Sequence, residues 1–568
     1  MQNNREQFLM SGKKGINHKI DLVILTKDGI LLKSLLFESN VVVTLKSISM
    51  KHFFCIALSL TPFMIGLQGQ IPTDSLTIWI SSQQGITKSV LCSGEGGSIG
   101  AEVGCWVDQT QNSFQFRVLG NGNPDLIQYG SDTLNGLPAV SFDGAGGMGT
   151  VRRNELNFTS ASFFTVAINA KSTPGASVMA IAQPGSWDDE YFFGSQAMVH
   201  QTRAANYTSI ADENNWGDFP FVITSGKYGS EPSDMSLYVN GLASSNTLSV
   251  FGRPSPFTSP DRSAYLAQRG NGSNLSTTKV AEVIVYKNIK INDAWRTVID
   301  NYLSSKYNIG IVPEQDFYHF DTESKGEYDF FVAGIGGQNG GLLSSNSSSG
   351  FHISDYSESI DDGDYLFVGH LNQENGMSQH HIPDSVGGRL SRVWALEKTN
   401  SVDATILFNY TELDISGSPD LNDEYYLLFS ESERPYNFTV VDVNPTVSEE
   451  GVSYNVPNDL LFNGYYTLGA VKSFGENPTG LLSPKANYQQ AIHLYPNPST
   501  NHLNVSIAGN QIVHPNYFFI RNIRGAVIQE GDLNNLPTVI NLANLPNGMY
   551  VIQFLTKEGI IFKKFVKQ

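Results

Sequence analysis

From Gln70 to about residue 290 the chain is a succession of short apolar or alternating runs, separated by turns at close spacing. "AVSFDG", "SFFTVAINA", "DMSLYVNG" and "VAEVIVYKN" are such runs, each about the length of one strand. Asn240-Gly241 follows "SLYV" directly. Both residues tolerate positive φ, which makes this pair the strongest short hairpin signal. Regularly spaced short strands predict a two-sheet sandwich or jelly roll. One segment breaks the pattern. In "INDAWRTVIDNYLSSKYNIG", Trp295, Val298, Ile299, Tyr302 and Leu303 recur at helical spacing. Asn292 is placed to cap its start, Gly310 lies just past its end, and its stripe is expected to pack on the sandwich.

Composition supports this all-β reading. Charged residues make up only 16% of the 568, and Gly, Ser, Asn, Thr and aromatics are plentiful. The length predicts three or four domains. Residues 1–69 hold 8 Lys/Arg and 4 Asp/Glu, a net of +4, so the rest carries −18 − 4 = −22. An acidic chain of this kind argues against nucleic acid as a partner, because phosphate binding needs a basic face.

"MKHFFCIALSLTPFMIGLQGQ" begins at Met50. Lys51 is a positive n-region, Phe53 to Leu67 is uncharged and mostly apolar, and Gly69 precedes a plausible cleavage point. This reads as a secretory signal peptide over 50–69, too short for a comfortable membrane span. Residues 1–49 then stand upstream of the mature protein. The other reading keeps them as an extension with an amphipathic stretch around "DLVILTKDGILLKSLLF". Cys55 would leave with the signal peptide. Cys92 and Cys105 remain, an even pair that suggests one disulfide in an exported chain; two buried thiols are the alternative.

"NGLPAVSFDG", "MSLYVNGLASS", "VAEVIVYKNIKINDAW" and the early "GCWVDQTQNS" resemble, in order and spacing, the laminin-G-like, concanavalin-type jelly roll of secreted bacterial proteins. The resemblance spans roughly 70–310. It implies a module that binds glycans or proteins, sometimes with calcium at the sheet rim. Residues 311–475 carry further strand candidates, "GDYLFVGH", "GGRLSRVWALEK", "ATILFNYTEL", "EYYLLFS", "YNFTVVDV" and "NGYYTLGAV", and are expected to form a second sandwich. They resemble an uncharacterised module that accompanies laminin-G-like domains. Residues 476–489 read as a linker.

The end of the chain opens on "HLYPNPSTNHLNVSI". Pro496 and Pro498 lock φ and cannot donate to a ladder, so with Asn497 they hold an extended lead-in. Leu503, Val505 and Ile507 then alternate with polar residues, as on a half-buried strand. Residues 490–568 read as a small Ig-like sandwich. "YPNPSTNHLNVSI", "IRNIRGAVI", "LPNGMYVIQF" with Gly548 and Tyr550, and the terminal Lys563, Lys564 and Lys567 resemble the C-terminal sorting domain of type IX secretion. The resemblance implies contact with a secretion machinery and delivery outside the cell.

No catalytic centre stands out. A retaining glycosidase on this fold would read roughly E-x-D-x-x-E. The nearest stretch, Glu314 and Asp316, has His319 at the last place. "GSWDDE" (Trp187, Asp188, Asp189) and "NNWGDF" (Trp216, Asp218) are the ligand-binding candidates, each an aromatic beside carboxylates. The acidic clusters Asp361, Asp362, Asp364 and Asp420, Asn422, Asp423, Glu424 do not match a calcium loop. His370, His380 and His381 lie near one another in sequence, but adjacent His380 and His381 on a strand would face opposite ways. "DGAGGMGT" is no phosphate loop. The expectation is a non-enzymatic cell-surface or released binding protein for a glycan or protein, with calcium as its one conceivable cofactor. A secreted polysaccharide hydrolase and a structural surface protein are the alternatives.

Overall fold

The structure is a computed structural model. It describes strands at 19–26 and 29–36, residues 71–471 apart from short stretches (the longest are 120–126, 169–176, 215–219 and 252–261), and residues 492–568 apart from 508–516, 522–526, 534–537 and 557–558. Residues 1–66 form a compact unit in which Lys19–Thr26 and Gly29–Leu36 pair as an antiparallel hairpin. The expected signal peptide, 50–69, and the linker, 476–489, lie outside the described residues.

Among the described residues from 71 onward the protein is all-β with one long helix. Among the described residues, one sheet has eight strands and runs through Phe221–Tyr228, Ala161–Ile168 and Thr277–Lys287. Thr277–Lys287 pairs on its far side with both Leu76–Ser81 and Val140–Asp143. The facing sheet has ten strands, with Glu190–Phe193, Met179–Ala182 and Ser263–Leu266 near its middle. Neighbouring strands are antiparallel throughout. Asn240 and Gly241 take φ of 48° and 77°, and the hairpin they turn pairs Val239 with Leu242.

Period-two patterning sets what each side of the eight-stranded sheet touches. Along Ala161–Ile168, the side chains of Ala161, Phe163 and Ala167 enter the core between the sheets. Phe164 and Val166 point the other way, into a second core beneath the helix Asp293–Tyr307. Both faces are buried, so the strand reads as nearly continuous apolar sequence. Asn292 caps the helix by accepting from the Trp295 N–H at 2.9 Å. The helix stops earlier than the position of Gly310 suggests: Asn308 takes the left-handed C-cap conformation, with φ of 51°. Its apolar stripe is also divided. Ile299, Tyr302 and Leu303 pack on the first sandwich, while Val298 belongs to a cluster with Tyr365 and Phe367 of the second.

That second sandwich spans Phe330 to Ala470, with a nine-stranded sheet facing a five-stranded one. Its core holds Trp394, Phe351, Phe408 and Tyr454. The C-terminal sandwich sets a three-stranded against a four-stranded sheet, around Leu503, Val505, Ile520, Ile552 and Phe554.

Two devices bind the first sandwich's beginning. Cys92 and Cys105 form a disulfide, with Cα atoms 5.2 Å apart, that fixes the preceding turn to strand Cys105–Val107. In the chain-entropy picture a loop this short contributes about 3 kcal/mol. Trp106 and Asp108 of "CWVDQT" span the two sheets. The Trp106 indole donates to Ser81 O at 3.1 Å. The Asp108 carboxylate, 3% exposed, accepts from the Trp79 N–H at 2.6 Å, from the Thr110 N–H and from the Thr110 hydroxyl. Burial still pushes it up to about 6.

An unfolded aspartate titrates near ~3.9. Between about pH 4 and pH 6 the folded chain therefore holds a proton that the unfolded chain has released. The stability this site contributes falls as pH rises through that window, by at most about 1.4 kcal/mol per pH unit. Asp108→Asn removes the titration. Urea unfolding of both proteins should show the wild-type advantage shrinking from pH 4 to pH 6; a pH-independent difference would contradict this.

Candidate functional site

The first sandwich carries an open groove of about 750 Å³ on the outer face of its ten-stranded sheet. Its floor is Tyr265, on strand Ser263–Leu266. Tyr265 sits directly opposite Gly149 in the register. A Cβ at Gly149 would lie 2.9 Å from the ring and 2.6 Å from Leu119, so only glycine lets the ring lie across the neighbouring backbone. One wall is the turn Ala145–Gly147 with Val151 and Arg152. The opposite wall is the turn Gly270–Gly272 with Leu275, strapped to the sheet by the Gly185 N–H donating to Gly270 O at 2.9 Å.

A buried ion pair holds that second wall. Glu190 is fully buried and accepts from Arg269 Nε at 2.7 Å and from the Gly270 N–H at 3.1 Å. Arg269 also lies over the Phe192 ring, 4.5 Å from its centre. Burial raises the Glu190 carboxyl above the ordinary range, with Arg269 pulling the other way. The pair is a brace, because a charge so buried is tolerable only with its partner in place.

The groove surface mixes exposed apolar groups, Val151 at 66% and Leu275 at 38%, with Gln268, Asn271 and the exposed Arg152. Among its described lining residues Arg152 is the sole charged group, and there is no carboxylate. No local pattern in the sequence marks these residues as ligand contacts. "DGAGGMGT" is no phosphate loop, yet it supplies a wall. The Gly-Asn-Gly turn of "QRGNGS" was the other available signal.

The expected ligand-binding residues Trp187, Asp188, Asp189, Trp216 and Asp218 all lie outside the described residues. Residues on either side of the first three, Gly185 and Glu190, are a groove residue and the brace. Glu314, Asp316 and His319 form no acid pair. His319 Nδ1 lies 3.0 Å from Glu397, and burial raises the Asp316 carboxyl. His380 and His381 lie just past the strand that ends at Ser378, and His381 has φ of 55°. Among the described residues no group of three or more His, Cys, Asp or Glu is arranged to hold a metal ion. Nor is any described helix long and apolar enough to cross a membrane.

In the C-terminal sandwich, Pro496, Asn497 and Pro498 are exposed and run alongside the last strand, Gly559–Lys567. The Asn497 side chain stands in for a strand neighbour. Its Nδ2 donates to Lys564 O at 3.1 Å and its Oδ1 accepts from the Val566 N–H at 2.9 Å. Ser499 continues the contact, donating its N–H to Val566 O at 2.8 Å. Gly548 opens the adjoining strand opposite Lys567. Tyr550 is buried on Phe565, and its hydroxyl donates to Pro546 O at 2.8 Å. Lys564 is exposed, Lys563 half-buried and Lys567 buried.

Residues 493–568 match the family of secretion system C-terminal sorting domains. The chain therefore carries a type IX sorting domain, and the protein is delivered to the cell surface or released beyond it. No curated protein matches the chain. Among solved structures it is similar to domain 4 of AbnA, an extracellular arabinanase of Geobacillus stearothermophilus, with 15% identity, 39% of this chain and 93% of that one covered, and a TM-score of 0.26. It is also similar to the Trypanosoma rangeli sialidase, with 12% identity, 50% of this chain and 43% of that one covered, and a TM-score of 0.27. The binding domain of botulinum neurotoxin DC, in complex with rat synaptotagmin II, gives 9% identity, 70% and 99% coverage, and a TM-score of 0.27. Likenesses this weak carry no argument about function.

Asn497→Ala should loosen the last strand. Losing two hydrogen bonds to backbone is worth about 1–3 kcal/mol. Hydrogen exchange of the full chain should show the Val566 amide and its neighbours losing about tenfold or more in protection, with the first sandwich unchanged. Unaltered protection at Val566 would show that Asn497 holds nothing.

Proposed function

We propose that this exported protein is a non-catalytic binding protein whose first sandwich takes a glycan in the groove over Tyr265. The observation that carries the reading is the groove's chemistry. An apolar floor and two glycine-rich turns leave backbone groups accessible beside exposed Val151 and Leu275, with Arg152 as the one charge among the described lining residues. Sugars present apolar C–H faces and many hydroxyls, which suits such a surface. Arg152 favours acidic sugars, because a guanidinium–carboxylate hydrogen bond is charge-assisted. The alternative, a hydrolase, needs two carboxyl groups about 5–9.5 Å apart across the sugar. Glu190, the carboxylate of the brace beneath this surface, is held by Arg269. Delivery outside the cell, where polysaccharide is met, agrees with this role.

The test is a glycan array probed with the full exported chain, with and without calcium, beside a polysaccharide-hydrolysis assay. Acidic glycans should bind saturably with no release of reducing ends. Arg152→Ala should weaken them by roughly ten- to a hundredfold, the range of a charge-assisted hydrogen bond. Reducing-end release, or affinities untouched by Arg152→Ala, would overturn the reading.

A further inference from the structure

A second groove, of about 650 Å³, lies where the two large sandwiches meet. Its floor is the outer face of the five-stranded sheet of the second sandwich. The first sandwich supplies a wall, the segment Ile71–Asp74, and the shared helix supplies Trp295. The Trp295 indole is half-exposed and fixed by donating to Leu342 O at 3.1 Å.

The register decides what the floor presents. Phe351, Ile353, Ile406, Phe408 and Tyr454 face the core. The alternate positions therefore face out. Cross-strand pairing sets one outward row as Ser347, His352, Leu407 and Ser453. The next row is Ser345, Ser354, Thr405 and Asn455. Across these positions the face offers hydroxyls, one amide, one imidazole and one leucine, and not one carboxylate, lysine or arginine.

That composition is unexpected for a solvated face of this protein, which has 54 acidic and 36 basic residues. The charges are at the margins instead. Glu412 accompanies His352 at 3.0 Å, Glu450 takes the Asn409 amide at 3.0 Å, and Asp74 stands on the wall. A neutral floor dense in donors and acceptors, one aromatic wall and an acidic margin define a ligand. It is polyhydroxylated, it is uncharged, and it has flat apolar faces to lay on an indole.

We infer that this junction groove is a second binding site, specific for a neutral oligosaccharide chain. Its acidic margin rejects the charged sugars that suit Arg152 in the first groove, so the two sites select opposite classes. The inference stands on the junction's own residues and does not rest on the first groove binding anything.

The experiment uses the full exported chain against immobilised cellohexaose, xylohexaose and mannohexaose, with an acidic-glycan set measured in parallel. Thr405→Arg and Ser354→Arg each place a long cation on the floor at half-exposed positions. Unfolding midpoints within about two degrees of wild type verify that both variants fold. Wild type should capture at least one neutral hexasaccharide, and each variant should lose tenfold or more of that affinity. Binding of none of the three by wild type, or equal binding by wild type and both variants, overturns the site. The acidic-glycan readings report on the first groove alone, so failure of one site is told apart from failure of the other.

Discussion

The architecture turns on one buried carboxylate. Glu282 sits mid-strand in the eight-stranded sheet, 1% exposed, on the side covered by the helix. It accepts from the Trp79 indole at 2.6 Å, the Tyr302 hydroxyl at 2.9 Å, Lys306 Nζ at 2.6 Å and the Tyr307 hydroxyl at 2.7 Å. Removing such a charge from water costs several kcal/mol, which is recovered only when every lone pair finds a donor. Here three of the four donors come from the last turns of the helix and the fourth from the strand Leu76–Ser81. The helix can therefore seat in one register only: sliding it by a turn would leave the carboxylate buried and unpaired. Burial beside that charge also lifts the Tyr302 and Tyr307 phenols well above their ordinary range, so they remain donors at any relevant pH.

Fixing the helix fixes what rests on its other side. Thr297 donates to Gln338 of the second sandwich at 2.6 Å, and Tyr365 donates to the same oxygen at 2.7 Å. Asn339 reaches back to Asp293 at 2.7 Å. Within the helix, Arg296 pairs with buried Asp300 at 2.9 Å and lies over Tyr238 of the first sandwich. The helix is thus a shared wall, buried on both sides, and the junction groove exists because it holds Trp295 beside the five-stranded sheet. The C-terminal sandwich is built differently. Its own core is complete, and its last strand is closed by the Asn497 side chain.

Much of this was legible in the sequence where local physics decides. Asn240-Gly241 and the capping Asn292 act within a few residues, and each does what its chemistry requires. Alternation in "HLNVSI" placed Leu503 and Val505 in a core. What escaped depends on partners far along the chain. Glu282 reads as one acidic residue in "VAEVIVYKN", and nothing nearby announces donors at Trp79 and Tyr307. Tyr265 and Gly149 are separated by more than a hundred positions, so a groove floor made by their pairing has no local signature. Serines and threonines of the second sandwich look like turn or linker chemistry until the register lines them up. The helix stripe was seen, but periodicity alone does not reveal that two sandwiches divide it.

The sign of each groove has to be weighed against the whole protein. A formal net charge of −18 raises a repulsive field toward any anionic ligand. At physiological ionic strength such fields fade over about 8 Å, so an exposed Arg152 governs its immediate surroundings while distant carboxylates are screened. The two described rows of the junction floor hold no lysine or arginine, and the charges at its margin, Asp74, Glu412 and Glu450, add to the global field instead of opposing it. On the proposed reading, the preference of each floor for acidic or neutral sugars follows from which charges lie within a Debye length of it.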